Sequence, residues 1–117
     1  MAAPNIAALN TITGKTAVAI ATTTATSLVG NSSGSNKVLK VNTLYCANNN
    51  ATNVAYVTVD VFRSGTAYRL AVAIAIPVAS TLDIISKAIY LEEGDNLRIT
   101  ATANGMVEAV CSYEEIS

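Results

Sequence analysis

This chain contains no histidine and no tryptophan, and only 13% of its residues are charged. The lack of histidine excludes a Ser-His-Asp triad, a Cys-His pair and an imidazole metal site. Two cysteines are too few to complete a zinc tetrahedron, and neither of the common Gly-rich phosphate-binding motifs is present. The sequence therefore predicts a protein that is not an enzyme and that holds no cofactor or metal.

Long apolar runs are also missing, although 51% of the residues are hydrophobic. No stretch approaches the roughly 18–20 uninterrupted apolar residues of a membrane helix. The first residues carry no basic segment and include Pro4 and Asn5, which is unlike a signal peptide. Net charge is −1 and the basic residues are scattered, so no patch for a phosphate backbone is seen. We therefore expect neither a membrane nor a nucleic acid as partner.

The shortage of charge predicts something about the surface as well. Globular domains typically carry about 25% charged residues, roughly twice the share found here. Much of this surface must then consist of Thr, Ser, Asn and Ala, which cost little to desolvate against another protein. We interpret this as a sign of a homo-oligomer or of a subunit in a larger assembly. The alternative is a soluble domain that is merely rich in Thr and Ala.

What the chain does contain is a series of short alternating segments separated by Asn, Gly and Ser turns. About eight such segments recur every 8–12 residues, without an amphipathic helix. This pattern predicts an all-β fold, an antiparallel sandwich resembling a jelly roll. Residues 1–14 show no periodicity and are predicted to form an extended N-terminal arm, with residues 15–117 as a single sandwich domain. Two turns are predicted to be hairpins. Arg63-Ser-Gly-Thr66 is of the hairpin type, with Gly65 available for a positive φ, and Asn104-Gly105 is the strongest hairpin signal in the chain.

The segment 67–76 separates large from small side chains. Its large residues are predicted to fill the core, and they are Tyr68, Leu70, Val72, Ile74 and Ile76. The opposite side is flat and is predicted to be an interface, formed by Ala71, Ala73 and Ala75. Its partner is a neighbouring subunit, the arm, or another part of the same chain. The arm supplies the other candidate interface residues, which are Pro4, Asn5, Ile6 and Leu9.

Three further segments alternate clearly. Thr16, Val18 and Ile20 alternate with alanines and predict a strand. Leu39, Val41 and Tyr45 are expected on one face of a second strand. In a third strand, one face is predicted to consist of Val57, Val59 and Val61.

Two small groups of residues could bind an ion or form a covalent bond. Glu92, Glu93 and Asp95 lie in one turn and could supply oxygen ligands to Ca²⁺, but their spacing does not match an EF-hand loop. The other interpretation is a solvated turn in which Asp95 caps backbone N–H groups. Cys46 and Cys111 lie on different strands, so a disulfide requires those strands to be neighbours. We favour two buried free thiols.

Three stretches in order resemble a known family. They are Val38–Val61, the stretch that begins Thr66-Ala-Tyr-Arg-Leu, and the run Ile89-Tyr-Leu-Glu-Glu-Gly-Asp-Asn-Leu-Arg-Ile-Thr-Ala followed by Asn104-Gly-Met-Val-Glu-Ala-Val-Cys-Ser-Tyr-Glu-Glu-Ile. In these stretches the chain resembles small virion structural proteins of tailed bacteriophages, especially phages of marine cyanobacteria. The resemblance implies a β-sandwich located in the virion and assembled in the host cytoplasm.

From this resemblance we expect a non-enzymatic capsid decoration protein. It would stabilise the shell through contacts with the major capsid protein or other virion proteins, as a homo-oligomer for which a trimer is favoured. The alternative is a module of the tail or a fibre that attaches to the host.

Overall fold

The computed structural model describes residue 8 and residues 10–117. The described part contains nine strands, which are β1 Ile12–Ile20, β2 Thr26–Gly30, β3 Val38–Asn48, β4 Ala55–Arg63, β5 Thr66–Ile76, β6 Thr81–Asp83, β7 Ile89–Leu91, β8 Asn96–Ala101 and β9 Val107–Ile116. Within those residues, no helix is long and apolar enough to cross a membrane. The predicted all-β antiparallel sandwich is confirmed.

The strands form two antiparallel sheets in the order of a jelly roll. Sheet 1 has the order β1-β9-β3-β6, and β7 also pairs with β3. Sheet 2 has the order β2-β8-β4-β5. Because β6 and β7 pair with opposite ends of β3, they share one strand position, and each sheet therefore has four. Eight positions in this alternating order are the double Greek key of a jelly roll.

The core lies between the inner faces of the two sheets. Its fully buried side chains include Leu44 on β3, Val57 and Val59 on β4, and Leu97 and Ile99 on β8. Val61 is half-buried and packs against the same cluster, so the predicted apolar face of β4 is confirmed. Burial of such side chains typically stabilises a fold by about 1.5–3 kcal/mol each.

The predicted face of β3 is wrong at Tyr45. Leu39 and Val41 are buried, but Tyr45 is exposed and Leu44 is buried in its place. A register shift between Val41 and Thr43 inserts one extra residue into β3 opposite β9. Since side chains alternate with a period of two, one inserted residue exchanges the inward and outward positions beyond it.

The predicted core face of β5 is also wrong over its first half. Tyr68, Leu70 and Val72 are exposed, whereas Ile74 is half-buried and Ile76 is fully buried. The pairing of β5 with β4 shifts register twice, which breaks the simple alternation. β5 is an edge strand of sheet 2, so its first half also has less of the other sheet to pack against.

The arm boundary needs correction. Thr11 and Ser117 exchange backbone hydrogen bonds of 2.9 and 3.0 Å, and β1 begins at Ile12. Residues 12–14, which we expected within the arm, therefore pair with β9 as part of sheet 1.

The two predicted turns differ in outcome. Ser64 and Gly65 both have positive φ, 50° and 77°, and join the paired strands β4 and β5 as a type I′ hairpin. Asn104-Gly105 instead connects β8 in sheet 2 to β9 in sheet 1, so it is not a hairpin of paired strands. The Asn104 side chain accepts a hydrogen bond of 2.9 Å from the backbone N–H of Thr23, which ties this crossing to the β1–β2 loop.

Two buried asparagines hold the β2–β3 and β3–β4 loops. The Asn31 amide donates to the carbonyls of Lys37 and Leu91 at 2.9 and 3.0 Å. The Asn48 amide donates to the carbonyls of Asn53 and Ile76 at 2.8 and 3.1 Å. These side chains satisfy buried backbone groups that the sheets leave unpaired, and they fix both loops to the sandwich.

Candidate protein-interaction site

The outer face of sheet 1 carries a group of exposed apolar side chains. Val18 on β1 lies opposite Val110 on β9, and Val110 lies opposite Tyr45 on β3. Ile20 lies two positions further along β1, on the same face. Their exposed fractions are 72% for Val18, 58% for Ile20, 43% for Tyr45 and 41% for Val110. We call these four residues the outer patch.

The local sequence explains why large side chains face outward here. Ala17 and Ala19 on β1 and Ala109 on β9 occupy the inner positions, and Ala17 packs against the core cluster. The small alanine side chains take the inner positions, and the larger β-branched residues of β1 take the outer ones. Valine and isoleucine also favour an extended backbone.

The outer patch borders a shallow, open concavity of about 750 Å³. Besides the patch residues, Ala47 and Thr81 line it, and Glu108 is its charged lining residue. Glu108 lies opposite Ile20 and Ala47 in the two ladders. A largely uncharged surface of this shape costs little to desolvate and fits a protein surface with apolar side chains.

The outer face of sheet 2 is different in chemistry. Asp60 is buried there and accepts hydrogen bonds from Arg98 at 2.9 and 3.3 Å. The Arg98 guanidinium also lies 4.0 Å from the centre of the Phe62 ring, in a cation–π contact. An ion pair thus lies on the two central strands of sheet 2, whereas Val110 and Tyr45 are exposed on the two central strands of sheet 1.

The acidic turn is a structural ion-pair site. Asp95 is buried and accepts hydrogen bonds from Arg63, one of 2.7 Å from Nε and a second from Nη2. Arg63 also donates to Glu92 at 2.9 Å, and the Glu92 backbone N–H donates to Asp95 at 2.8 Å. Glu93 accepts the backbone N–H of Asn36 at 2.8 Å. Asp95 therefore caps its turn as the second interpretation expected, and Arg63 fills the position a cation would take.

The ion pairs lower the pKa values of two carboxyl groups. The hydrogen bonds from Arg63 lower the pKa of Asp95, with a smaller contribution from the Glu92 N–H. At the open end of the sandwich, Lys37 at 2.7 Å and Lys15 at 3.0 Å lower the pKa of Glu115. Among residue 8 and residues 10–117, no group of three or more His, Cys, Asp or Glu side chains is placed to hold a metal ion.

The cysteines lie inside the core, as expected. Cys46 and Cys111 are both fully buried and free. Their strands β3 and β9 are neighbours, but Cys46 lies opposite Ala109 and Cys111 lies opposite Leu44. Such diagonal positions are about 7–8 Å apart, which is too far for a disulfide without backbone movement. Burial raises the pKa of each thiol to about 11.

The structure separates the interface residues that the sequence suggested. Ala71 packs against the core cluster, while Ala73 and Ala75 are exposed. A single flat face of three alanines does not exist, because the register shifts of β5 turn Ala71 inward. The remaining four suggested residues, Pro4, Asn5, Ile6 and Leu9, lie outside the described residues.

Sequence reasoning missed the outer patch. The signal was present in the alternation of Val18 and Ile20 with Ala17, Ala19 and Ala21, where the alanines form the buried side. A rule that assigns the larger side chains to the core selects the wrong face here. Val110 gave no signal of its own, and Tyr45 was assigned to the wrong face because the sequence does not reveal the register shift between Val41 and Thr43.

Comparisons with known proteins bear on the fold. No protein-family model matches this chain, and no curated protein matches it. Among solved structures, it is similar to one described as "Bacillus endospore appendages form a novel family of disulfide-linked pili". That similarity has a TM-score of 0.52 and 17% sequence identity, and it covers 90% of this chain and 87% of the other. At this identity the likeness shows a shared all-β fold.

Proposed function

We propose that this chain is a non-enzymatic structural subunit that packs against other proteins through the outer patch. The observation that carries the proposal is the row of Val18, Val110 and Tyr45, exposed side by side across three neighbouring strands of sheet 1, with one exposed carboxylate of β6 opposite Tyr45 at the end of the row. Four large apolar side chains exposed side by side reduce the solubility of a free monomer, and contact with another protein offsets this cost.

The assembly that we propose is the virion of a tailed bacteriophage, with this chain as a capsid decoration protein. The resemblance of three sequence stretches to small virion proteins supports this location. The jelly-roll order supports it as well, since this architecture is common in viral capsid proteins. The protein similar in fold belongs to a pilus, which is likewise an assembly of structural subunits. Cys46 and Cys111 are buried, so a disulfide between subunits is not open to them in this fold.

Quantitative mass spectrometry of purified virions tests the location. A ratio to the major capsid protein near one-to-one is expected for a decoration protein. A ratio of a few per hundred would contradict the capsid role and support the alternative, a host-attachment module of the tail or a fibre. Absence of the chain from purified virions would overturn both.

A binding experiment tests the outer patch. Shells purified without this chain are incubated with the wild-type protein or with the double variant Val18→Thr/Val110→Thr, which keeps side-chain shape and strand preference. We expect the double variant to bind about tenfold more weakly, equivalent to about 1.4 kcal/mol. The control is Val72→Thr, which changes an exposed valine on sheet 2 and should bind like the wild type. Equal binding of all three proteins would show that the outer patch is not the contact.

A further inference from the structure

We propose that the free edge of β1, which is the side that no strand of residues 10–117 pairs with, pairs with β1 of a second copy, so that sheet 1 continues across a two-fold axis. This inference goes beyond the proposed function, because it concerns the edge of the sheet and not its outer face. It holds whether or not the outer patch binds a virus shell.

The first observation is that β1 has one partner strand among the described elements. It is the end strand of sheet 1 and pairs with β9 alone. All nine residues from Ile12 to Ile20 pair with β9 in one register, without a shift. The strand is thus long and regular, which are the properties of an edge that can accept another strand.

The direction of the backbone groups follows from the ladder. Ala21 donates to Val107 at 2.8 Å, and Thr11 and Ser117 exchange two bonds, so residues 11 and 21 are hydrogen-bonded positions. Hydrogen-bonded and non-hydrogen-bonded pairs alternate in an antiparallel ladder. The odd-numbered residues of β1 therefore bond to β9. The even-numbered residues, among them Thr16 and Val18, direct their N–H and C=O groups away from it.

The residues along this edge lack the features that usually prevent an edge strand from pairing with another chain. Residues 16–20 contain no charge, proline or glycine and alternate between alanine and β-branched residues. Natural edges are commonly protected by lysine, proline, bulges or a short length. The one lysine of β1, Lys15, donates to Glu115 of β9 at 3.0 Å, and so its charge is held toward its own sheet.

The other edges explain why the partner is a second β1. β5 has two register shifts, β2 has five residues and one shift, and β6 and β7 have three residues each. Pairing of β1 with a different edge would need a second long, regular strand, and the described residues offer none. Antiparallel pairing of β1 with β1 of a second copy brings two long, regular edges together. Such an isologous contact closes as a dimer.

Pairing of two β1 strands also gives compatible side-chain neighbours across the contact. Registers centred on residues 16, 17 or 18 place Lys15 opposite Ala17, Ala19 or Ala21, and never opposite the other Lys15. In these registers the even-numbered residues of both copies pair with each other. Val18 and Ile20 of each copy then lie on one continuous outer face, so the two outer patches become neighbours.

Analytical ultracentrifugation of the full chain tests this inference. The wild-type protein should sediment as a concentration-dependent dimer. Thr16→Pro removes an N–H group that points to the free edge and leaves the bonds to β9 in place, so this variant should be monomeric. Thr16→Ala retains the N–H group and should remain dimeric. Far-UV circular dichroism and the Tm check that each variant is folded.

A second variant and a deletion complete the test. Gly14→Pro acts at another even-numbered position, where an added Cβ meets open space, and it should also give a monomer. Deletion of residues 1–9 should leave the dimer intact. A monomeric deletion variant would overturn the inference by showing that this segment supplies the contact. A monomeric wild type, a dimeric Thr16→Pro protein or open-ended fibres would overturn it as well. None of these outcomes alters the virion ratio that tests the proposed function.

Discussion

At the scale of single residues, side-chain size alone does not decide which positions are buried. Val59 and Val72 are chemically identical and lie on adjacent strands, yet Val59 is fully buried and Val72 is 64% exposed. Val59 lies on the central strand β4 and faces the opposite sheet, whereas Val72 lies at a register shift on the edge strand β5. A valine side chain therefore contributes more to the free energy of unfolding at position 59 than at position 72.

This difference predicts unequal effects of truncation. Val59→Ala should lower the free energy of unfolding by about 2–3 kcal/mol, because it removes buried methyl groups and leaves a cavity. Val72→Ala should change it by less than about 0.5 kcal/mol. Urea unfolding followed by circular dichroism measures both values. Equal costs for the two substitutions would contradict the assigned faces of β4 and β5.

The two thiols make a second prediction at this scale. Because Cys46 and Cys111 are fully buried and burial raises the pKa of each to about 11, the reactive thiolate is scarce and shielded. At pH 8 the native protein should show almost no reaction with Ellman's reagent, and two thiols should react once urea is added. Rapid reaction of either thiol in the native protein would show that the core is open.

At the scale of elements, register shifts decide the faces of β3 and β5. The sequence alternation of each strand is clear, but the extra residues are not marked by glycine or proline. Ala73, within the irregular part of β5, has a φ of 45°, a left-handed conformation that costs a non-glycine residue about 1–2 kcal/mol. Its N–H donates to the hydroxyl of Thr58 at 3.0 Å, which helps to hold the strand in this shape.

Glycine should relieve this strain. We expect Ala73→Gly to raise the free energy of unfolding by about 0.5–1 kcal/mol, because glycine adopts positive φ without a Cβ penalty. The matched control is Ala75→Gly, two residues further along the same strand and without positive φ, which should destabilise by about 0.5–1 kcal/mol. If both substitutions destabilise equally, Ala73 is not strained.

At the scale of the whole molecule, ion pairs join parts of the chain that are far apart in sequence. Arg63 at the β4–β5 hairpin bonds Asp95 before β8, and Lys15 and Lys37 both bond Glu115 near the C-terminus. The pKa values of Asp95 and Glu115 are lowered in the folded state. A carboxyl with a lowered folded pKa contributes stability above its unfolded pKa, about 4, and loses it as the pH falls through the folded value.

Stability should therefore be nearly constant from pH 7 to pH 5 and should decline below about pH 4. Urea unfolding at a series of pH values measures this decline. Arg63→Met should cost about 1–3 kcal/mol at pH 7, because Asp95 is left buried without its partner, and the difference from the wild type should shrink in acid. A difference that is independent of pH would show that Arg63 acts through packing and not through the charge on Asp95.

The sequence by itself determined the fold class, the alternating strands and the position of the Ser64-Gly65 hairpin, because these depend on local periodicity and turn chemistry. It also indicated that Asp95 caps its own turn and that both cysteines are buried thiols. Only the tertiary structure decided which side of β1 and of β5 faces the core, since this depends on register shifts and on whether a strand lies at an edge. For the same reason the outer patch and the free edge of β1 were not predictable. Both arise from the order in which distant strands pair, and that order places Val18, Val110 and Tyr45 side by side.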